Sequence, residues 1–210
     1  MPVDKSLFYY GRIYHRLLDP PLAEARRVAV DLIPAHSAVL DLGCGTGQLC
    51  FALRATKPCR VVGLDLSLRM LEFATRANPF DDVTFHHGDA TDIVGMDDAA
   101  FDYATVLFLL HELPREGRVR VLTEGSRVAR HLLLIDSVAP LPKNVEGLGI
   151  RLVEGTFGHE HNHHFRHFLA RGGIMGAVQD AGLAVTVVHQ AVFLHRCRQV
   201  VVLRCEGTAT

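Results

Sequence analysis

The sequence predicts an α/β fold, a doubly wound and mostly parallel sheet, and three observations carry that expectation. Residues 39–47, VLDLGCGTG, read as a short apolar strand that ends in an acid and enters a loop of alternating glycines, Gly43, Gly45 and Gly47. Strand-like runs and stretches of helical spacing then alternate along the chain. The runs are continuously apolar, as in HLLLID at 131–136, which is the pattern of parallel strands buried on both faces.

Taken in order, residues 7–32 predict helix broken at Asp19, Pro20 and Pro21, with Leu22, Ala25, Val28, Ala29 and Leu32 on one stripe. Strand 39–42 leads to helix 48–56. Strand 60–64 leads to helix 67–77, for which Ser67 is the N-cap. Strand 83–86 passes through an acidic loop to strand 102–109, then helix 115–129 and strand 131–136. Residues 139–158 are rich in Gly and Pro and predict irregular chain with one helical turn at 148–153. Helix 163–181 should be interrupted at Gly172 and Gly173. Strands at 183–189 and 199–204 end the series. The expectation is one domain over 1–210, with a helical cap at 1–36 and a substrate lid at 139–170.

Alternating glycines let backbone turn sharply and approach a ligand with no Cβ in the way. The first N–H groups of helix 48–56 then point back at whatever sits over the loop. Such a unit cradles a nucleotide or cofactor at the carboxyl ends of the strands. Gln48 stands where the dinucleotide fingerprint needs its third Gly or Ala, which disfavours a nicotinamide dehydrogenase. No Lys-Ser/Thr pair follows, so it is not a Walker loop.

VLDLGCGTG closely resembles the first motif of class I S-adenosylmethionine-dependent methyltransferases. More of that family's pattern follows in order: Asp65 in VVGLDLS, Asp89 in VTFHHGDA, then FDYATVLFLLHEL as the fourth strand. The resemblance covers roughly residues 9–136. It implies a Rossmann-like, seven-stranded sheet whose last strand is antiparallel, with S-adenosylmethionine as cofactor. The methionine moiety is then expected over Asp41, Gly43, Cys44, Gly45, Thr46 and Gly47, where Asp41 can hold loop amides or the cofactor's ammonium. A carboxylate at the second strand's tip, Asp65, can accept both ribose hydroxyls at once. Asp89 is expected at the adenine amino group with the Ala90 N–H on a ring nitrogen. Leu66 and Met70 pack around the adenosine, Leu107 completes the set, and Tyr14 folds over it.

His111 follows the fourth strand, where catalytic groups of similar enzymes lie. FLLHELP resembles the branch acting on small molecules and lipid precursors, such as quinone-biosynthesis and phospholipid N-methyltransferases. His111 is the candidate base for a hydroxyl, thiol or ring nitrogen. Alignment alone can drive methyl transfer, so a base is not required. The expected acceptor is small and rather apolar. A reading from another class is a non-catalytic cofactor-binding sensor or scaffold with a histidine-rich metal or partner site.

Composition narrows the partners. A net charge of −1 gives no field to attract nucleic acid, and no apolar run suits membrane insertion. Five cysteines without a framework suggest free thiols in a cytoplasmic protein, and 1–11 has no apolar signal core. Five of thirteen histidines fall between His159 and His167. His163 and His167 are i,i+4 and could share an ion, with His159 and His161 approaching from the preceding loop, but no metal ligand is assigned; the expected role is contact with the acceptor.

Overall fold

The structure, a computed structural model, describes residues 22–206. Tyr14 and most of the predicted cap lie outside these residues. Helix α1 (Ala23–Leu32) precedes β1 (Ala38–Leu42), α2 (Gln48–Thr56), β2 (Arg60–Asp65), α3 (Leu68–Ala77) and β3 (Thr84–His87). Then come β4 (Phe101–Leu107), a 3-10 turn (Leu110–Glu112), α4 (Arg115–Val128) and β5 (Ala129–Ser137). Helices α5 (Val145–Thr156), α6 (His159–Ala170) and α7 (Gly173–Ala181) lead to β6 (Val185–Phe193) and β7 (Arg198–Cys205).

The seven strands form one sheet in the order β3-β2-β1-β4-β5-β7-β6. Only β7 runs against its neighbours, β5 and β6. Strand side chains alternate between two buried layers, as the period of two requires. Leu40, Leu42, Ala104, Val106, Leu132 and Leu134 face α4 and α7 in one core. Val39, Val61, Leu133 and Ile135 face α1 and α2 in the other. Both faces being apolar is why these strands read as unbroken apolar runs. Chain order reverses between β1 and β4, so their carboxyl ends flank the crevice where such sheets bind ligands.

Several boundaries differ from expectation for visible reasons. The fourth strand stops at Leu107 because Phe108 takes a left-handed conformation, φ 56°. The stretch 139–158 is not irregular: α5 fills twelve residues of it. Asn144 caps this helix by accepting the Gly147 N–H at 2.8 Å, and a Cβ on Gly147 would strike the Pro142 carbonyl. Close packing thus requires Gly147, while Gly149 and Gly155 sit in the helix facing open space. The 163–181 helix starts at His159 and breaks at the expected glycines, both at positive φ.

Candidate functional site

The glycine loop is fastened to β2. The N–H groups of Gly43 and Cys44 both donate to the Leu64 carbonyl, at 2.8 and 3.1 Å. Gly45 N–H donates to Asp65 Oδ2 at 2.8 Å and Ser67 N–H to Oδ1 at 2.7 Å. One carboxylate therefore organises both the loop and the start of α3, where Ser67 accepts the Met70 N–H as N-cap. Burial holds the Asp65 carboxyl above its ordinary value, and these two donors offset only part of that rise.

The glycines are required for different reasons. At Gly45, φ is +53° and a Cβ would meet no protein atom within 4 Å, so the space over the loop stays open. At Gly47, φ is +76° and a Cβ would lie 2.7 Å from the Phe85 ring. Packing, not a ligand, dictates that residue.

Asp41 sits beneath the loop at 3% exposure. Its register partner on β4 is Thr105, whose hydroxyl donates to Oδ1 at 2.6 Å, and the Cys50 thiol approaches Oδ2 at 3.6 Å. Burial lifts the carboxyl to about 6, against these hydrogen bonds and with a small push from Asp65. Of the loop amides within the expectation for Asp41, that of Gly45 is held by Asp65.

Above the loop lies a cavity of about 610 Å³, in the size range of small-molecule sites. Asp41, Gly43, Cys44, Gly45, Thr46, Asp65, Leu66, Met70, Asp89, Ala90 and Leu107 all line it, and Gly47 does not. Asp89, on the exposed loop after β3, also accepts the Thr91 N–H at 2.8 Å. Arg26, Phe108, Leu109, Glu112 and Leu113 are among its other walls. They enter from α1 and from the left-handed turn after β4. No residue of 139–170 lines this cavity; α6 stacks on the 3-10 turn instead, His164 Nδ1 meeting the Glu112 carbonyl at 2.9 Å.

His111 stands apart from the cavity at 4% exposure. Its Nδ1 bonds Asp136 Oδ1 at 2.8 Å, and Nε2 lies 3.7 Å from Glu154 Oε2. Burial disfavours the charged ring, but the Asp136 charge and hydrogen bond, with Glu154 and Glu112, lift it to about 9. Both nitrogens face carboxylates of the protein, so the geometry does not favour His111 as a base toward a ligand in the cavity. Glu154 also meets His161 Nε2 at 2.6 Å. His163 and His167 do not converge: His163 is exposed, and His167 Nδ1 faces Arg118 Nη1 at 3.1 Å.

A mostly parallel sheet with a glycine loop at its switch point, acids at the first strand tips and an open cavity over them define a nucleoside-cofactor enzyme fold. The methyltransferase domain model matches residues 39–131. The demethylmenaquinone methyltransferase of Thermus thermophilus is 32% identical over 155 residues, 63% of this chain and 68% of that protein. That of Clavibacter sepedonicus is 42% identical over 100 residues, covering 45% of this chain and 40% of its own length. The chain spans less than half the length of the first curated relatives it matches. The PH0226 protein of Pyrococcus horikoshii shares the fold, with TM-score 0.69 at 19% identity over 95% of this chain and 96% of that one. The chain belongs to the class I S-adenosylmethionine-dependent methyltransferases.

The residues present fit that family's cofactor, S-adenosylmethionine. The acids Asp41, Asp65, Asp89 and Glu112 on the cavity wall suit a ligand carrying cationic sulfur, an ammonium and hydroxyl donors. The clear space over Gly45 admits it against the backbone.

Proposed function

We propose that this chain methylates a small, rather apolar acceptor molecule. When bound, S-adenosylmethionine supplies an activated sulfonium methyl group, which passes in line to a nucleophilic atom of the acceptor. The observation that carries this reading is Asp65, a cavity-lining carboxylate that also fixes the amide of open Gly45. In this reading Asp65 accepts the ribose hydroxyls, Asp89 the adenine amino group, and Asp41 balances the ammonium. Leu107, Phe108, Leu109, Leu113 and Val121 give the cavity an apolar wall against which an acceptor is oriented and water excluded. Relatives named demethylmenaquinone methyltransferase and 27-O-demethylrifamycin SV methyltransferase support a small-molecule acceptor. His111 acts here by position: through Asp136 it holds the turn that carries Glu112 and Leu113 to the wall.

Calorimetry tests the reading. S-adenosylhomocysteine should bind the wild type, while Asp65→Ala and Gly45→Val should each lose about 1.5–3 kcal/mol of affinity or more with circular dichroism unchanged. Preferential binding of NAD, or affinity undiminished in both variants, would overturn it.

A further inference from the structure

Three side chains that do not line the cavity meet behind the turn after β4. Glu154 comes from α5, His161 from α6 and His111 from the 3-10 turn, and all three are buried. One ligand atom from each lies within 4.8 Å of the others. Among the described residues, Glu154 pairs with no lysine or arginine; its ion-pair partners are the two imidazoles.

We propose that Glu154, His161 and His111 bind a divalent transition-metal ion, Zn²⁺ by their donor set, which staples α5 and α6 to the turn after β4. Two imidazoles and a carboxylate, without a thiol, are a recurrent zinc set that leaves a fourth position for water. The support behind one ligand is already in place. Asp136 accepts from His111 Nδ1 at 2.8 Å, from the His111 N–H at 3.2 Å and from the Ser137 N–H at 2.6 Å. That carboxylate is held fast, and it leaves His111 Nε2 turned toward Glu154. A carboxylate behind a histidine ligand is the common outer support of metal sites.

Tetrahedral zinc with ligands at about 2.0–2.1 Å sets their atoms about 3.4 Å apart. The His111–Glu154 separation of 3.7 Å is close to that, while 2.6 Å between His161 and Glu154 is a hydrogen-bond distance. Entry of the ion therefore asks Glu154 to back away from His161 by roughly 0.8 Å. Phe165 and Phe157 wall the cluster, with ring centroids 5.6 Å from His111 and 5.2 Å from His161. Arg198 exerts a field on both Asp136 and Glu154, and Arg118 on Asp136. The competing arrangement is thus a cluster closed by protons alone.

The test uses protein purified without a histidine tag, stripped with chelator, desalted and given Zn²⁺ alone. One zinc per chain should remain after a second desalting, the melting temperature should rise, and proteolysis within 139–170 should slow. Glu154→Gln and His161→Ala should weaken zinc by more than the roughly 10–100-fold cost of losing an outer-shell partner. His163→Ala should leave zinc affinity as it is. Should those variants fail to fold, Co²⁺ bound by the wild type reports the ligand set, as visible absorption of a four-coordinate nitrogen and oxygen site. A wild type that retains no zinc is closed by protons, and the proposal fails. Zinc retained equally by Glu154→Gln but lost in His163→Ala sits on surface histidines, and the proposal fails there too.

Discussion

Asp41 lies almost wholly out of solvent, held by Thr105 and Cys50, with its carboxyl lifted by burial from 3.8 to about 6. The sign of the consequence follows from linkage. Between those two values the folded chain keeps a proton that the unfolded chain has lost, so stability falls as pH rises through the window. Above pH 6 the ionised group costs roughly 3 kcal/mol, at about 1.4 kcal/mol per pKa unit. Replacing it with Asn removes the titration and keeps the Thr105 hydroxyl satisfied. Melts at pH 5 and pH 7.5 should therefore show Asp41→Asn more stable than wild type at the higher pH, by about 1–3 kcal/mol, with a flatter pH slope. Cofactor affinity should drop in the same variant. Identical pH slopes in both proteins would mean that Asp41 does not hold its proton this way.

At the scale of elements, Arg118 ties three of them together from inside α4. It is 3% exposed; its Nε donates to the Leu110 carbonyl at 2.8 Å and Nη2 to the His164 carbonyl at 2.6 Å. Nη1 donates to His167 Nδ1, whose protonation is held down by burial and by Arg118 and Arg171, and the guanidinium lies 5.2 Å from the Phe168 ring centroid. Arg118→Met should cost about 2–4 kcal/mol in urea unfolding, since it strands buried acceptors. Arg118→Lys should recover little of that, because an ammonium cannot span the fork. Full recovery by lysine would reduce the residue to a point charge. Nothing in the spacing of 115–129 marked this arginine out, because its partners come from far along the chain. By contrast, β1, β2, β4 and β5 were legible within about two residues, since strands buried on both faces leave unbroken apolar runs. Strand β6 was legible only in part. It lies at the sheet edge with Val187, Val188 and Val192 exposed, and it runs four residues past the expected end to Phe193. The loop glycines and strand-tip acids of the cavity showed in the sequence because local geometry demands them. Thr105 needed the β1–β4 register, and Phe108 and Glu112 needed a left-handed turn. His161 was expected on a loop beside His163 and His167; it lies instead inside the helix and meets Glu154 on another helix, a partner that spacing does not reveal.

At the scale of the whole molecule, the cavity takes walls from α1, the ends of β1, β2 and β4, the loop after β3, and α4. These elements lie on both faces of the sheet and in both halves of its strand order. A ligand filling the cavity thus contacts most of the cooperative unit and binds only when all of it is folded. Under that linkage, S-adenosylhomocysteine at one hundred times its dissociation constant adds about 2.7 kcal/mol to stability. For a chain of 150–250 residues each kcal/mol is worth roughly 2–4 °C, so the melting temperature should rise by roughly 5–10 °C in one transition. Gly45→Val should abolish the rise, because a side chain there enters the clear space over the loop and a β-branched residue strains the backbone at φ +53°. Zinc at the Glu154 cluster should raise the melting temperature of that variant undiminished, since the two sites share no residue. A ligand shift confined to a minor early transition, with the main one unmoved, would show that the cavity belongs to a part of the chain that unfolds by itself.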